Sequence, residues 1–189
     1  MHKIESLQYE KGIKFLKNLP YYSQIPLTIS LDIRRNDYKY TVIDANIFPS
    51  GHNNILPEHL PKCAESLTSY LHSQNITRGP IAIYPEFMTK NQFYGDNLSR
   101  IIEICKLANF EPILYWKKDM EGPFSHDGLL PSDPEALSKA TCVWLNNDLS
   151  AGVPPELANC QIPIFPSPSM GWYQRRKNTF FDNFNETLQ

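Results

Sequence analysis

PIAIYPEFMTKNQFYGDNLSRIIEICKLANFEPILYW fills residues 80–116 and carries two periodicities. PIAIYPE and EPILYW are short, nearly continuous apolar runs, the pattern of strands buried on both faces. NLSRIIEICKLANF, between them, repeats its apolar side chains at three and four, as a helix with one buried face does. Asp96 or Asn97 is its expected N-cap. Strand, helix and strand in this order predict a parallel crossover unit.

The same grammar continues outward. ATCVWLN (140–146) and QIPIFP (161–166) read as two further buried strands, with SDPEALSKA (132–140) as a short helix capped by Ser132 or Asp133. Upstream, residues 57–74 place Leu60, Cys63, Ala64, Leu67, Tyr70 and Leu71 on one helical face. The expected fold class is α/β: a doubly wound, mostly parallel, Rossmann-like sheet with helices on both faces. LTISLDI (27–33) alternates and reads as a half-buried strand, followed by YTVIDANIF (40–48) as a second extended piece whose apolar content ends at Asp44. Residues 5–19 form a loose helical pattern stopped by Pro20, within a helical extension over 1–26. Residues 117–134 read as a long surface loop, and 178–189 as a terminal helix with Phe180, Phe181, Phe184 and Leu188 on its apolar side. One domain over 1–189 is expected.

Net charge is −2 with a pI near 6.2, so no global positive field draws nucleic acid or an anionic membrane to the chain. No apolar run approaches the roughly 18–20 residues that span a bilayer, and a cytoplasmic location is expected. Cys63, Cys105, Cys142 and Cys160 have no metal-type spacing and lie in apolar segments, the setting of reduced, buried thiols. No metal site is expected. Sixteen prolines against eight glycines predict sharply ended, ordered loops.

In an open parallel sheet, ligands bind beyond the carboxyl ends of the strands. Four such ends are polar here: Asp44 to Asn46, Glu86, Asn146 to Asp148, and Ser167 to Lys177. Asn147 and Asp148 offer donors and acceptors suited to a zwitterionic or amide-bearing ligand, or they make an Asx turn and cap the helix that follows. Glu86 suits an ammonium group, or stands as an exposed structural carboxylate. Arg175, Arg176 and Lys177 form the one dense cationic patch, able to hold a carboxylate or phosphate, or to offset Asp182 and Glu186. His52 has no accompanying nucleophile motif and reads as a loop residue; His59 and His72 read as solvent-facing. No glycine-rich phosphate loop is present.

DANIFPSGHNN, LNNDLSAGVP and GWYQRRKNTFF, in that order, together with the Pro-Glu and Thr-x-Asn-x-x-Tyr of IAIYPEFMTKNQFYGDNLSRI, resemble the proteobacterial-type glutamate-cysteine ligases over roughly residues 27–181. The resemblance implies an amino-acid-binding lobe like the one preceding the nucleotide-binding half of ATP-grasp ligases. In such enzymes ATP and Mg2+ activate the glutamate γ-carboxylate as an acyl phosphate, and the cysteine amine attacks it. The contacts it implies are Asp44, Asn46, Asn53, Asn54, Asn146, Asn147, Asp148, Arg175, Arg176 and Lys177, with Asp148 suited to an ammonium and Arg175 or Arg176 to a carboxylate. The ATP-binding lobe of such enzymes lies beyond the point matching Gln189, so ATP and Mg2+ belong to the complete enzyme and no cofactor is expected for this chain alone. The implied partners are the substrates glutamate and cysteine, and either a second lobe or a homodimer formed through the C-terminal aromatic face. A stand-alone binding module for an amino acid or γ-glutamyl peptide is the alternative.

Overall fold

The computed structural model describes residues 26–87, 91, 93–116 and 133–174. Two strands come first, β1 (Ser30–Arg35) and β2 (Tyr40–Asn46), then 3₁₀ turns at His52–Asn54 and Pro57–His59, and helix α1 (Leu60–Ser73). The alternating part follows: β3 (Pro80–Pro85), α2 (Tyr94–Leu107), β4 (Glu111–Leu114), α3 (Ala136–Lys139), β5 (Cys142–Asn146), α4 (Pro155–Ala158) and β6 (Ile164–Phe165).

All four strands read from the apolar runs form one parallel sheet in the order β4-β3-β5-β6. The chain moves one way from β3 to β4 and the other way from β4 to β5 and β6. Right-handed crossovers then set α2 on one face and α3 and α4 on the other, which is the doubly wound arrangement. The reversal falls between β3 and β5, so the crevice beyond Pro85 and Asn146 is the topological switch point. Ile81, Ala82, Ile83 and Tyr84 of β3 and Val143 and Leu145 of β5 are buried, as the lack of alternation requires. Leu60, Leu67 and Leu71 of α1 and Leu98, Ile101 and Cys105 of α2 close one side of this core. The four cysteines are free thiols, and burial pushes that of Cys142 up to about 11 and that of Cys105 higher still, so neither is a ready nucleophile. His59 and His72 are exposed.

Four expectations are corrected. Leu27 and Thr28 are half-buried, but the strand is not: β1 is exposed along its whole length and pairs antiparallel with β2 in a separate two-stranded ribbon. Period two reports an amphipathic strand, and it cannot tell which face meets the body. Asp44 to Asn46 therefore end a ribbon strand, not a strand of the parallel sheet. Helix α2 begins at Tyr94, a turn before the expected cap, and Asn97 is completely buried inside it. Asp133 is not the cap of α3, whose N-cap is Glu135 with no side-chain cap bond; Asp133 Oδ1 accepts the Glu135 N–H at 2.8 Å in an Asx turn ahead of the helix. The helices expected over 5–19 and 178–189, the aromatic face of the latter, Ser132 and the loop over 117–132 lie outside the described residues. Among the described residues no helix is long and apolar enough to cross a membrane.

Gly79, just before β3, has φ +108°, and a Cβ added there would meet Thr141 Cγ2 at 2.3 Å. Gly152 has φ +100° with open space around it. Gly79→Ala is expected to cost about 3 kcal/mol, strain plus collision, and Gly152→Ala about 1 kcal/mol from backbone strain alone. Urea unfolding midpoints of the two variants check the difference.

Candidate functional site

A chain of hydrogen bonds ties the switch point to the loop that follows the ribbon, and its polarity is fixed from one end. The Pro49 carbonyl can only accept, so Asn146 Nδ2 donates to it at 2.8 Å. Asn146 Oδ1 then accepts, from Asn97 Nδ2 at 2.9 Å and from the Tyr94 hydroxyl at 2.8 Å. Asn97 Oδ1 accepts in turn, from the His52 backbone N–H at 3.0 Å and from the ring Nδ1 at 2.9 Å. The proton of a neutral His52 ring is thereby placed on Nδ1, leaving the lone pair on Nε2. Burial lowers the His52 pKa below its usual 6.5 despite the Asn97 and Pro49 oxygens that oppose it, so the ring is neutral at pH 7.

Tyr94 completes the relay. Its hydroxyl also reaches the Asn146 carbonyl oxygen at 2.7 Å and accepts the Glu86 N–H at 2.7 Å. Burial raises its pKa, which keeps it a donor. Beside it Asn147 Nδ2 donates to the Pro85 carbonyl at 3.0 Å, joining the ends of β3 and β5.

LNNDLS resolves into two consecutive Asx turns: Asn147 Oδ1 accepts from Leu149 N–H and Asp148 Oδ1 from Ser150 N–H, each at 2.9 Å. They carry Leu149 through φ 56°, and neither caps α4. The Asp148 carbonyl accepts the Trp172 N–H at 2.7 Å, so the segment starting at Gly171 docks on this turn.

Between the ribbon and the body lies a cavity of about 790 Å³. Asp44, Asn46 and Asn54 line it, as do Asp32, Lys62 and the buried ring of His52, whose edge meets Trp144 with centroids 5.7 Å apart. Asn46 Oδ1 accepts from the Phe48 N–H at 2.9 Å.

The residues singled out in the sequence thus fall into two groups. Asp44, Asn46 and Asn54 meet at the cavity; Glu86, Asn146, Asn147 and Asp148 gather at the switch point, with Glu86 half-buried. Asn53 is half-buried beside His52 and is not part of the cavity lining. Arg175, Arg176 and Lys177 lie outside the described residues. The Asn146 side chain is committed to the internal relay, a structural post rather than a surface contact. Asp32, Tyr94 and Asn97 were not singled out, and His52 read as a loop residue. Asn97 did leave a signal, a polar residue on the stripe Tyr94, Leu98, Ile101 and Cys105. Among the described residues no three His, Cys, Asp or Glu side chains group to hold a metal ion.

The glutamate-cysteine ligase family model matches residues 10–126 and 135–189. The chain belongs to the glutamate-cysteine ligase family. Its fold is similar to the crystal structure of a protein assigned as a gamma-glutamylcysteine synthetase from Methylobacillus flagellatus KT, with a TM-score of 0.68 and 24% identity. The match covers 93% of this chain and 46% of that one, so the chain spans about half the length of this ligase-family neighbour. No curated protein matches the sequence.

Asn97→Leu keeps the volume and strips the relay of its centre, leaving the His52 donors without their acceptor, at an expected cost of about 3 kcal/mol in urea unfolding. The relay also predicts a pH dependence. A ring whose folded pKa is lowered binds fewer protons in the fold than when unfolded, so its contribution is present above pH 6.5 and is lost as pH falls toward the lowered folded value. The urea midpoint should drop between pH 7.5 and 5.5, and by less in His52→Gln.

Proposed function

We propose that this chain is the amino-acid-binding portion of an ATP-dependent glutamate-cysteine ligase, which forms γ-glutamylcysteine, the first step of glutathione synthesis, with an ATP-binding lobe. The observation that carries the reading is the family match over 10–126 and 135–189, on a chain whose cavity presents charges of both signs. Asp32, Asp44 and Lys62 share the lining with the amides of Asn46 and Asn54, a set suited to a free amino acid. The part of the reaction assigned to this chain is to bind and orient the amino acid, and the neutral His52 ring adds an uncharged wall that does not repel an ammonium. ATP and Mg2+, held outside the described residues, supply the phosphoryl chemistry.

Titration calorimetry with L-glutamate, L-cysteine and MgATP, each alone, tests the division of labour. Glutamate or cysteine is expected to bind with Kd on the order of 1 mM or tighter, and MgATP is not expected to bind. Tight MgATP binding by this chain would overturn the assignment. Binding of glutamate with no γ-glutamylcysteine formed when the ATP-binding lobe is supplied would leave a non-catalytic binding module instead.

A further inference from the structure

The ribbon presents the less expected of its two faces to the body. Leu31, Ile33 and Val42 are 46%, 56% and 54% exposed, while Ser30, Asp32, Asp44 and Asn46 line the cavity. A ribbon held only by packing would turn its apolar face inward, since burying that face is the main term available to it.

Asp32 and Asp44 are direct cross-strand partners, immediately before the register shift between Asp32 and Ile33. Cross-strand partners have Cβ atoms roughly 4.5–5.5 Å apart, and like charges placed so oppose pairing. Neither carboxylate has an ion-pair partner among the described residues, and Lys62, on the same lining, makes none with them.

Trp144 of β5 carries a second anomaly. Trp144 is 3% exposed, and its indole Nε1 is buried with no hydrogen-bond partner among the described residues. An indole nitrogen is a donor only, and a buried donor without an acceptor costs on the order of 1–3 kcal/mol. Trp144 lies in the lining of the same cavity. Among the described residues the aspartate pair therefore has no cation in ion-pair contact, and Lys62 of the same lining has no anion.

We infer that this cavity takes a free amino acid whose primary ammonium group sits between Asp32 and Asp44 and whose carboxylate meets Lys62. The assignment deepens the ligase reading and rests on it for which amino acids to try. It moves the ammonium from Asp148, whose Oδ1 is engaged in its own turn, to the ribbon pair. Three donor hydrogens of an ammonium match two facing carboxylates, and two charge-assisted bonds replace their mutual repulsion. A bare metal ion fits less well, because the described residues bring no third acidic, histidine or cysteine ligand to the pair.

Calorimetry on the wild type, Asp32→Asn and Asp44→Asn tests it, with L-glutamate, L-cysteine, their desamino counterparts glutarate and 3-mercaptopropionate, and Mg2+ alone. The expected result is that the amino acid bound by the wild type binds at least tenfold more tightly than its desamino counterpart, and that each substitution weakens it at least tenfold. Because each substitution removes a like-charge opposition, the ligand-free variants should melt at or above the wild-type temperature, which a merely structural role for either aspartate would not give. Unchanged amino-acid affinity in both variants, or equal binding of the desamino acid, would overturn the ammonium assignment and leave the ligase reading standing. No amino-acid binding by the wild type would overturn both. Mg2+ bound by the wild type and lost in both variants would make the pair a metal site and overturn the assignment.

Discussion

The Pro49 carbonyl has no proton to give, and that constraint orders everything around the switch point. It turns the Asn146 amide, which turns Asn97, which selects the Nδ1 tautomer of His52. Each group is buried, and a reversed amide at Asn146 or Asn97 would set one oxygen against an oxygen and one N–H donor against another. The relay is also the covalently remote link of the fold, spanning 97 residues between Pro49 and Asn146 and 45 between His52 and Asn97. It fastens the loop after the ribbon to the sheet, so the ribbon's base, and with it the cavity wall at Asn46 and Asn54, inherits its position from the end of β5.

Most of the sheet was legible because its signal is local. Four apolar runs of strand length, separated by helix-length segments, allow few arrangements, and right-handed crossovers remove most of those. The ribbon was not legible in the same way. Its alternation is real, yet period two gives the two faces without saying which turns inward, and here the polar face does. The site was half legible. Polar residues at strand ends pointed to the switch point, whereas the cavity draws Asp32 from a strand interior and Trp144 from the middle of β5. Asn97 shows why the relay was missed: an amide on a helical stripe reads as a cap until its partners, 45 and 49 residues away, are seen.

Hydrogen-bond capacity then separates scaffold from site. At the switch point, Asn146, Asn147 and one oxygen of Asp148 are engaged by the protein's own backbone and side chains, and Tyr94 and Asn97 serve the same network. Such groups set geometry, and a ligand could take them only by breaking bonds already formed. At the cavity the balance is reversed. Asp32, Asp44 and Lys62 have no ion-pair partner among the described residues: two are facing carboxylates and the third is a cation of the same lining. The ammonium and carboxylate of the proposed free amino acid would each meet a group of opposite charge there. The saturated relay and the unsaturated cavity are parts of one design, since a wall that must hold two carboxylates face to face needs a rigid point behind it, and the Asn146 post supplies that point.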